Sequence, residues 1–269
     1  MNADQIKEMA QSLGTDLAGI APVDCFDVFA PEASPLAIQP QTRSVIVLGF
    51  SIPRGCLQGV ESGTAGYTLG AGLPTTLSIE TTYQLCRRIE NEGWEATPLF
   101  RQSADMRGQG VRVSPDKPEP NVLVEFDFAA QAAGLGEIGR CKLLLTPEFG
   151  PRQMFTIILT DAELKPDAPF SGSICDDCGA CAEACPARAL DATALQRAPL
   201  CEGEAAWYPL HIESCRVCRT GTIRLPYSTD SEPFRLGAAC GRACVAHLED
   251  GGMLTRKFAS PFRAEKEEA

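Results

Sequence analysis

No stretch of this 269-residue sequence approaches the roughly 20 consecutive apolar residues that cross a lipid bilayer. The segment at residues 1–14 is polar and periodic, and it lacks the apolar region of a secretory signal peptide. We therefore expect a cytoplasmic protein that makes no use of a membrane.

Basic residues are scarce relative to acidic ones. There are 24 Lys and Arg against 35 Asp and Glu, which gives a formal net charge of −11. Nucleic-acid binding requires clustered basic side chains that neutralise phosphates, so this balance argues against nucleic acid as the main partner. The acidic surplus could steer the protein toward a basic redox partner. We expect a redox partner protein of the ferredoxin or flavodoxin type.

Helical and strand patterns alternate without a long parallel repeat, which predicts an α+β fold. Asn2 and Gln5 form a capping-box pattern for a first helix, and a second helix is expected at residues 124–133. Strands are predicted at residues 16–21, 45–48, 95–100 and 155–160. A Gly-rich loop is predicted at residues 63–74, before a helix with the apolar stripe Ile79, Tyr83, Cys86 and Ile89.

Pro166 and Pro169 mark a linker between two domains. We predict a mixed α/β domain at residues 1–168, a Cys-rich module at residues 169–250 and a tail at residues 251–269.

The cysteines are concentrated in the second domain, because nine of the 13 lie between residues 175 and 244. In a reducing compartment, clustered cysteines more often bind metal than form disulfides. Cys175, Cys178, Cys181 and Cys185, followed by Pro186, match the bacterial ferredoxin run C-x2-C-x2-C-x3-C-P. In that run three thiolates bind one [4Fe–4S] cluster and the fourth binds a second cluster.

The second cluster needs further ligands, and two more cysteine pairs follow the run. We assign Cys175, Cys178, Cys181 and Cys244 to cluster 1, and Cys185, Cys215, Cys218 and Cys240 to cluster 2. The alternative is a structural zinc site built from the pairs 175/178 and 215/218. That alternative leaves Cys181, Cys185 and Pro186 unexplained.

The other cysteines receive no ligand role. Cys86 lies on the apolar face of a predicted helix and is interpreted as a small buried side chain. Cys141 follows a Gly-rich segment and is interpreted as a packed thiol. Cys25, Cys56 and Cys201 are left without a role. His211 and His247 are expected near the metal sites or at the surface rather than as ligands.

Gly134, Gly136 and Gly139 form a G-x-G-x-x-G pattern. A dinucleotide site would need a strand before this pattern and a helix after it. Here a helix is predicted before it and an extended segment after it, so we reject a nicotinamide site.

The longer segment AAQAAGLGEIGRCKLLLTPEFGPRQMFTIILTD is more distinctive. It resembles the core of epoxyqueuosine reductases and of corrinoid-dependent reductive dehalogenases. SLGTDLAGIAPVD, TRSVIVLGF and the late cysteines are similar to the same families. The resemblance implies a nitroreductase-like domain of the cobalamin-binding type, joined to a two-cluster ferredoxin-like module that delivers electrons to cobalt.

The resemblance also implies a set of residues around the corrin, where glycines let the main chain approach a flat macrocycle. The set is Gly134, Leu135, Gly136, Ile138, Gly139, Thr146, Pro147, Gly150 and Pro151. The alternative is that these residues only shape a tight structural turn.

Two departures argue against a tRNA substrate. The acidic proton donor of tRNA-modifying members is replaced by the sequence Pro-Asn-Val-Leu at residues 120–123, and the C-terminal helical repeats of many members are not found. Weak candidates for a replacement donor are Asp105, Arg107, Arg112 and Tyr67.

Three functions are therefore weighed. The first is a reductase of a small molecule that uses two [4Fe–4S] clusters and cobalamin. The second is an electron-transfer or activating protein that reduces a partner's corrinoid or flavin. The third is an FMN enzyme, ranked last because no flavin phosphate site is recognisable.

Overall fold

The computed structural model describes residues 1–57, 65–100, 115–116, 124–201, 203–216, 218, 222–223, 234–235 and 238–262. The helices are α1 (Ala3–Ser12), α2 (Arg54–Leu57), α3 (Ala65–Asn91), α4 (Phe126–Ala132), α5 (Ala180–Glu183), α6 (Ile212–Arg216) and α7 (Ala238–Asp250). Within these ranges, every helix is too short or too polar to span a bilayer.

The strands are β1 (Leu17–Pro22), β2 (Ser44–Ser51), β3 (Ala96–Phe100), β4 (Glu137–Ile138), β5 (Leu144–Leu145), β6 (Gln153–Thr160), β7 (Gln196–Pro199), β8 (Glu204–Trp207), β9 (Thr222–Ile223) and β10 (Phe234–Arg235). Strands β1, β2, β6 and β3 form one antiparallel sheet in that order. The two-stranded pairs are β4 with β5, β7 with β8 and β9 with β10. The mixed α and β composition predicted from the sequence is confirmed.

Strands β2 and β6 form the centre of the sheet, where Ser44 lies opposite Thr160 and Ser51 opposite Gln153. Successive side chains of a strand point to opposite faces. Ile46 and Leu48 therefore pack under α1 and α3, whereas Val45 and Val47 pack against α4. The strand predicted at residues 45–48 is confirmed, and it is covered on both faces because seven of the eight β2 residues are buried.

Helix α1 begins as its sequence predicts. The Asn2 side chain accepts a hydrogen bond from the Gln5 backbone, and the Gln5 side chain accepts one from the Asn2 backbone, both at 2.9 Å. This reciprocal pair satisfies two N–H groups that the first turn of a helix leaves unpaired.

The predicted loop at residues 63–74 is wrong from Ala65 onward. Helix α3 begins at Ala65 and continues through Pro74, although proline removes one backbone donor from a helix. Packing of α3 across the sheet outweighs this local preference.

The predicted apolar stripe of α3 is only half correct. Cys86 and Ile89 are buried, but Ile79 and Tyr83 are 47% and 56% exposed. Thr81 and Thr82 face inward instead. Their hydroxyl groups are satisfied there, by the Leu13 carbonyl and by Thr156 at 2.8 and 2.7 Å. Hydrogen-bonded hydroxyls let polar residues occupy the buried face.

Helix α7 is anchored to α2 by a buried ion pair. The Arg54 Nη2 atom lies 2.7 Å from Glu249 Oε2, and the two side chains are only 6% and 11% exposed. Arg54 Nη2 also donates to the Ser260 carbonyl oxygen at 3.1 Å. Because α7 carries Cys240 and Cys244, this anchor fixes the position of two predicted ligands.

A disulfide joins Cys25, in a 3-10 turn at Val23–Phe26, to Cys201, in the connection between β7 and β8. The sequence analysis missed this pair, because cysteines 176 positions apart leave no local pattern. Disulfides persist in oxidising surroundings and are rare in the cytosol. The bond therefore does not fit the reducing compartment assumed above, and the compartment stays a prediction.

Replacing Cys201 by Ser is expected to lower the free energy of unfolding by about 2–4 kcal/mol, the usual contribution of a disulfide that closes a long loop. Cys201 is exposed, so the substitution itself costs little in packing. The measurement is urea unfolding of wild type and variant, with and without a thiol reductant. The difference should vanish in reductant, and an equal difference in both conditions would show that the bond does not stabilise the fold.

Candidate metal centre

Cys175 and Cys178 lie on a tight loop that leads into α5, and Cys181 lies in the first turn of that helix. Asp177 and Gly179 hold the loop in this shape with positive φ angles of 62° and 79°. Glycine adopts such angles freely, whereas for an aspartate they are strained. The side-chain contacts of Asp177 therefore decide whether the loop keeps its geometry.

The Asp177 carboxylate has two such contacts. It accepts hydrogen bonds from the Tyr208 hydroxyl at 2.7 Å and from Arg140 Nε at 2.9 Å. These bonds, first that from Tyr208 and then that from Arg140, lower the pKa of Asp177 below its usual value. The carboxylate consequently stays ionised, and the loop stays held, to a lower pH than a free aspartate would allow.

Glu137 binds the backbone at the beginning of the same loop. Its Oε1 atom accepts hydrogen bonds from the backbone N–H groups of Ile174 and Cys175, the latter at 2.6 Å. The backbone N–H of Arg140 lies 3.5 Å from the Cys175 sulfur. Two residues of the Gly-rich segment thus position Cys175, the first predicted ligand.

The four cysteines assigned to cluster 1 come together in space. Cys175, Cys178, Cys181 and Cys244 line one cavity, together with Cys141. Cys244 reaches it from α7, more than 60 positions after the loop. The donor set suits a [4Fe–4S] cluster, which takes one thiolate on each iron. The assignment of these residues as ligands stays a prediction.

The second set also converges around α7. The pKa of Cys240 is raised to about 12, first by burial and then by the charges of Cys185 and Cys215. The three thiols therefore lie within range of one another's charge. Cys218 adjoins them, since its backbone N–H donates to the Cys215 carbonyl oxygen at 3.1 Å. The proximity fits a second thiolate site, and the ligand role of the four stays a prediction.

The two histidines differ in position. His247 Nε2 lies 2.7 Å from Asp176 Oδ2, beside Cys178, and these three residues together could hold a metal ion. His211 is exposed. Neither position contradicts the expected supporting or surface roles.

The glycines assigned to a corrin are in contact with the protein itself. A Cβ atom on Gly136 would overlap the Leu145 carbonyl oxygen, and one on Gly134 would overlap the Ala168 carbonyl oxygen. A Cβ atom on Gly139 would come within 2.8 Å of the Leu145 side chain. Close packing of one backbone on another explains these glycines without a ligand.

The remaining residues of that set are mostly enclosed as well. Ile138, Thr146, Gly150 and Pro151 are buried, whereas Leu135 and Pro147 are partly exposed. The Thr146 hydroxyl lies 3.1 Å from Gln153 Oε1. In the part of the chain that the structure describes, this set therefore does not present the open surface that a flat macrocycle needs. The structural-turn alternative accounts for it, and the corrin assignment stays a prediction.

The candidate proton donors Asp105, Arg107 and Arg112 lie outside the described residues. Tyr67 belongs to α3, but its side chain is likewise outside the description. Glu137 and Arg140 were not predicted as site residues from the sequence, where only the glycines of their motif were interpreted. The available signal was one charged residue between Gly136 and Gly139 and one directly after Gly139.

Comparisons with known proteins agree with the expected resemblance. Residues 169–191 match the Fer4 family, described as a 4Fe-4S binding domain. Over 98 residues the chain is 48% identical to a tetrachloroethene reductive dehalogenase of Desulfitobacterium hafniense, covering 35% of this chain and 17% of that protein. Over 241 residues it is 24% identical to an epoxyqueuosine reductase of Synechococcus sp. (strain RCC307), covering 81% of this chain and 73% of that protein.

A solved reductive dehalogenase, described in connection with B12-dependent dehalogenation, has the same fold over 94% of this chain. The TM-score is 0.62 and the sequence identity is 20%. The chain spans only 34% of that structure, and the D. hafniense match spans under a fifth of its protein, at 17%. The predicted similarity to both families is confirmed, whereas the nitroreductase-like description, the domain boundaries and the cluster count remain predictions.

Replacing Glu137 by Ala is expected to loosen the Cys175 loop, because two backbone N–H groups lose their acceptor. Each unsatisfied group costs about 1–3 kcal/mol when buried. We expect lower stability and weaker iron retention after anaerobic gel filtration. Glu137→Gln keeps an acceptor oxygen and should lie close to wild type. Equal iron retention in the Ala variant and wild type would show that Glu137 does not hold the loop.

Replacing Gly136 by Ala is expected to destabilise the metal-free protein by about 1–3 kcal/mol, the usual effect of overpacking. The matched control is Gly55→Ala in α2, where an added Cβ meets nothing within 4 Å. Urea unfolding of both variants measures the difference. If Gly136→Ala were as stable as the control, the backbone contact with Leu145 would not be the reason for the glycine.

Proposed function

We propose that this chain is an iron–sulfur oxidoreductase that holds two [4Fe–4S] clusters and passes electrons toward its N-terminal domain to reduce a small molecule. The observation that carries the proposal is the convergence of four predicted ligand thiols on one cavity, at the contact with the Gly-rich segment. When bound, such clusters supply one-electron transfer at potentials set by their surroundings.

Eight cysteines would bind the two clusters. Cys175, Cys178, Cys181 and Cys244 would hold cluster 1, and Cys185, Cys215, Cys218 and Cys240 would hold cluster 2. Cys185 would share cluster 2 with cysteines of α6 and α7, although its own loop supplies ligands to cluster 1. This sharing would place the two clusters side by side. The backbone N–H of Arg140, which lies at the Cys175 sulfur, would connect cluster 1 to the Gly-rich segment.

Similarity to reductive dehalogenases supports cobalamin as the electron acceptor within this proposal. The residues expected to cradle it do not fit that role in the described part of the chain, because protein atoms occupy the space beside Gly134 and Gly136. We therefore assign no step to a corrin, and an FMN site has no residue to support it among those described.

The close packing of protein atoms beside Gly134 and Gly136 favours a second candidate function. In it the chain is an electron-transfer or activating protein, and its acidic surface docks a partner that holds the corrinoid or flavin. The net charge of −11 suits such docking and disfavours tRNA. Both candidates share the iron–sulfur sites and differ in where the electron acceptor resides.

The test is anaerobic analysis of iron, sulfide, cobalt and flavin per chain, followed by an absorbance titration with cobalamin. We expect about eight irons and eight sulfides, as two cubane clusters contain. Cys185→Ala should lose about half of the iron, because only one cluster is affected. Cys86→Ala, which removes a buried thiol on α3 remote from both sites, should keep all of it.

The cobalamin titration separates the two candidates. Binding at micromolar concentration supports the small-molecule reductase, whereas eight irons with no cobalamin binding support the electron-transfer protein. A zinc ion without sulfide would contradict both.

A further inference from the structure

The cavity of cluster 1 contains one thiol more than a cluster needs. Five described cysteines line it, and four suffice for a [4Fe–4S] cluster. The additional one is Cys141, which belongs to the connection between β4 and β5 in the N-terminal domain and not to the Cys-rich module.

Cys141 is placed among the predicted ligands rather than beside them. It shares one cavity with Cys181 and Cys244, and all three belong to the same packed cluster. It is 8% exposed and packs with Leu145, Ile174 and Leu248 in one apolar cluster. Solvent therefore does not compete for its S–H group, and the thiol cannot turn away without displacing that core.

This geometry distinguishes a hydrogen-bond donor from a ligand. Each iron of a cubane binds one cysteine sulfur, so the ligand sulfurs diverge toward separate corners. A fifth sulfur that lines the same cavity, packed beside two of those ligand sulfurs, has no corner of its own and would lie between corners. From that position an S–H group can donate to a thiolate, and hydrogen bonds to cluster sulfurs are among the factors that set the reduction potential.

We infer that Cys141 is a positioning residue whose thiol donates a hydrogen bond to a ligand sulfur of cluster 1, Cys181 or Cys244, and thereby raises the reduction potential of that cluster. The inference rests on the proposed function, since it requires a cluster at these cysteines. It adds that the N-terminal domain tunes the cluster nearest to it, through a residue that is not a ligand.

The central test is a redox titration of the iron-loaded protein, followed by electron paramagnetic resonance. Cys141→Ala should lower the equilibrium constant for reduction of one cluster about threefold, which is the effect of a weak hydrogen bond. For a one-electron couple, at about 59 mV per tenfold, the reduction potential of that cluster should fall by about 30 mV. The other cluster should not change, and iron content should stay at the wild-type value. Cys141→Ser keeps a donor and should restore the potential, and Cys86→Ala is the control for loss of a buried thiol.

An unchanged potential in iron-loaded Cys141→Ala would overturn the inference and leave the proposed function intact. Loss of iron from that variant would also overturn it, because Cys141 would then be a ligand. Wild-type protein without iron and sulfide would remove the proposed function and the donor role together.

A second measurement tests the placement without any metal. Diamide, a mild oxidant, takes two electrons and two protons from a pair of adjacent thiols, which join as a disulfide while diamide becomes the hydrazine. In metal-free protein we expect peptide mapping to show Cys141 joined to Cys181 or Cys244. Absence of both cross-links would show that the three thiols are not in contact and would overturn the inference.

Discussion

Thiols that share one metal cluster lie close together in the folded protein, although burial and the mutual repulsion of thiolates oppose this arrangement. In this protein a neighbouring segment makes the contacts that hold the thiols together. The carboxylate of Glu137 binds the backbone at Cys175, and Arg140 together with Tyr208 holds Asp177 in a strained conformation. Convergence of the cysteines depends on these contacts.

The same contacts connect the two parts of the chain. The Gly-rich segment is packed onto Leu145 and Ala168 so closely that its glycines admit no side chain. That packing fixes where Glu137 and Arg140 point, and through them the position of the cysteine loop. From the other direction, Arg54 fixes α7 and with it Cys240 and Cys244. These contacts hold the predicted ligand cysteines against the rest of the chain, as the proposed electron transfer would require.

Much of the fold and of the thiol arrangement could be predicted from the sequence, because the signals are local. The capping box at Asn2 and the apolar run of β2 involve neighbouring residues, and the spacing of Cys175 to Cys185 is a property of one loop. Prediction failed where distant contacts decide the outcome. Helix α3 runs through Pro74 because the sheet supports it, and Cys25 meets Cys201 only in the folded chain.

The glycines illustrate the same limit at the candidate site. A resemblance implied that Gly134 and Gly136 face a cofactor, yet the sequence alone does not show which atoms approach them. Their neighbours are backbone carbonyl groups of Ala168 and Leu145. Cys141 is a comparable case, since its burial was foreseen but its contact with Cys181 was not.

The most direct test of the account is the electron paramagnetic resonance spectrum of the anaerobically reduced, full-length protein. Two [4Fe–4S] clusters held side by side should give a broadened spectrum of two interacting paramagnets at full reduction. At partial reduction it should simplify to a single S = 1/2 signal. A spectrum from one isolated cluster at every stage, or no signal from a protein that contains only zinc, would contradict the account.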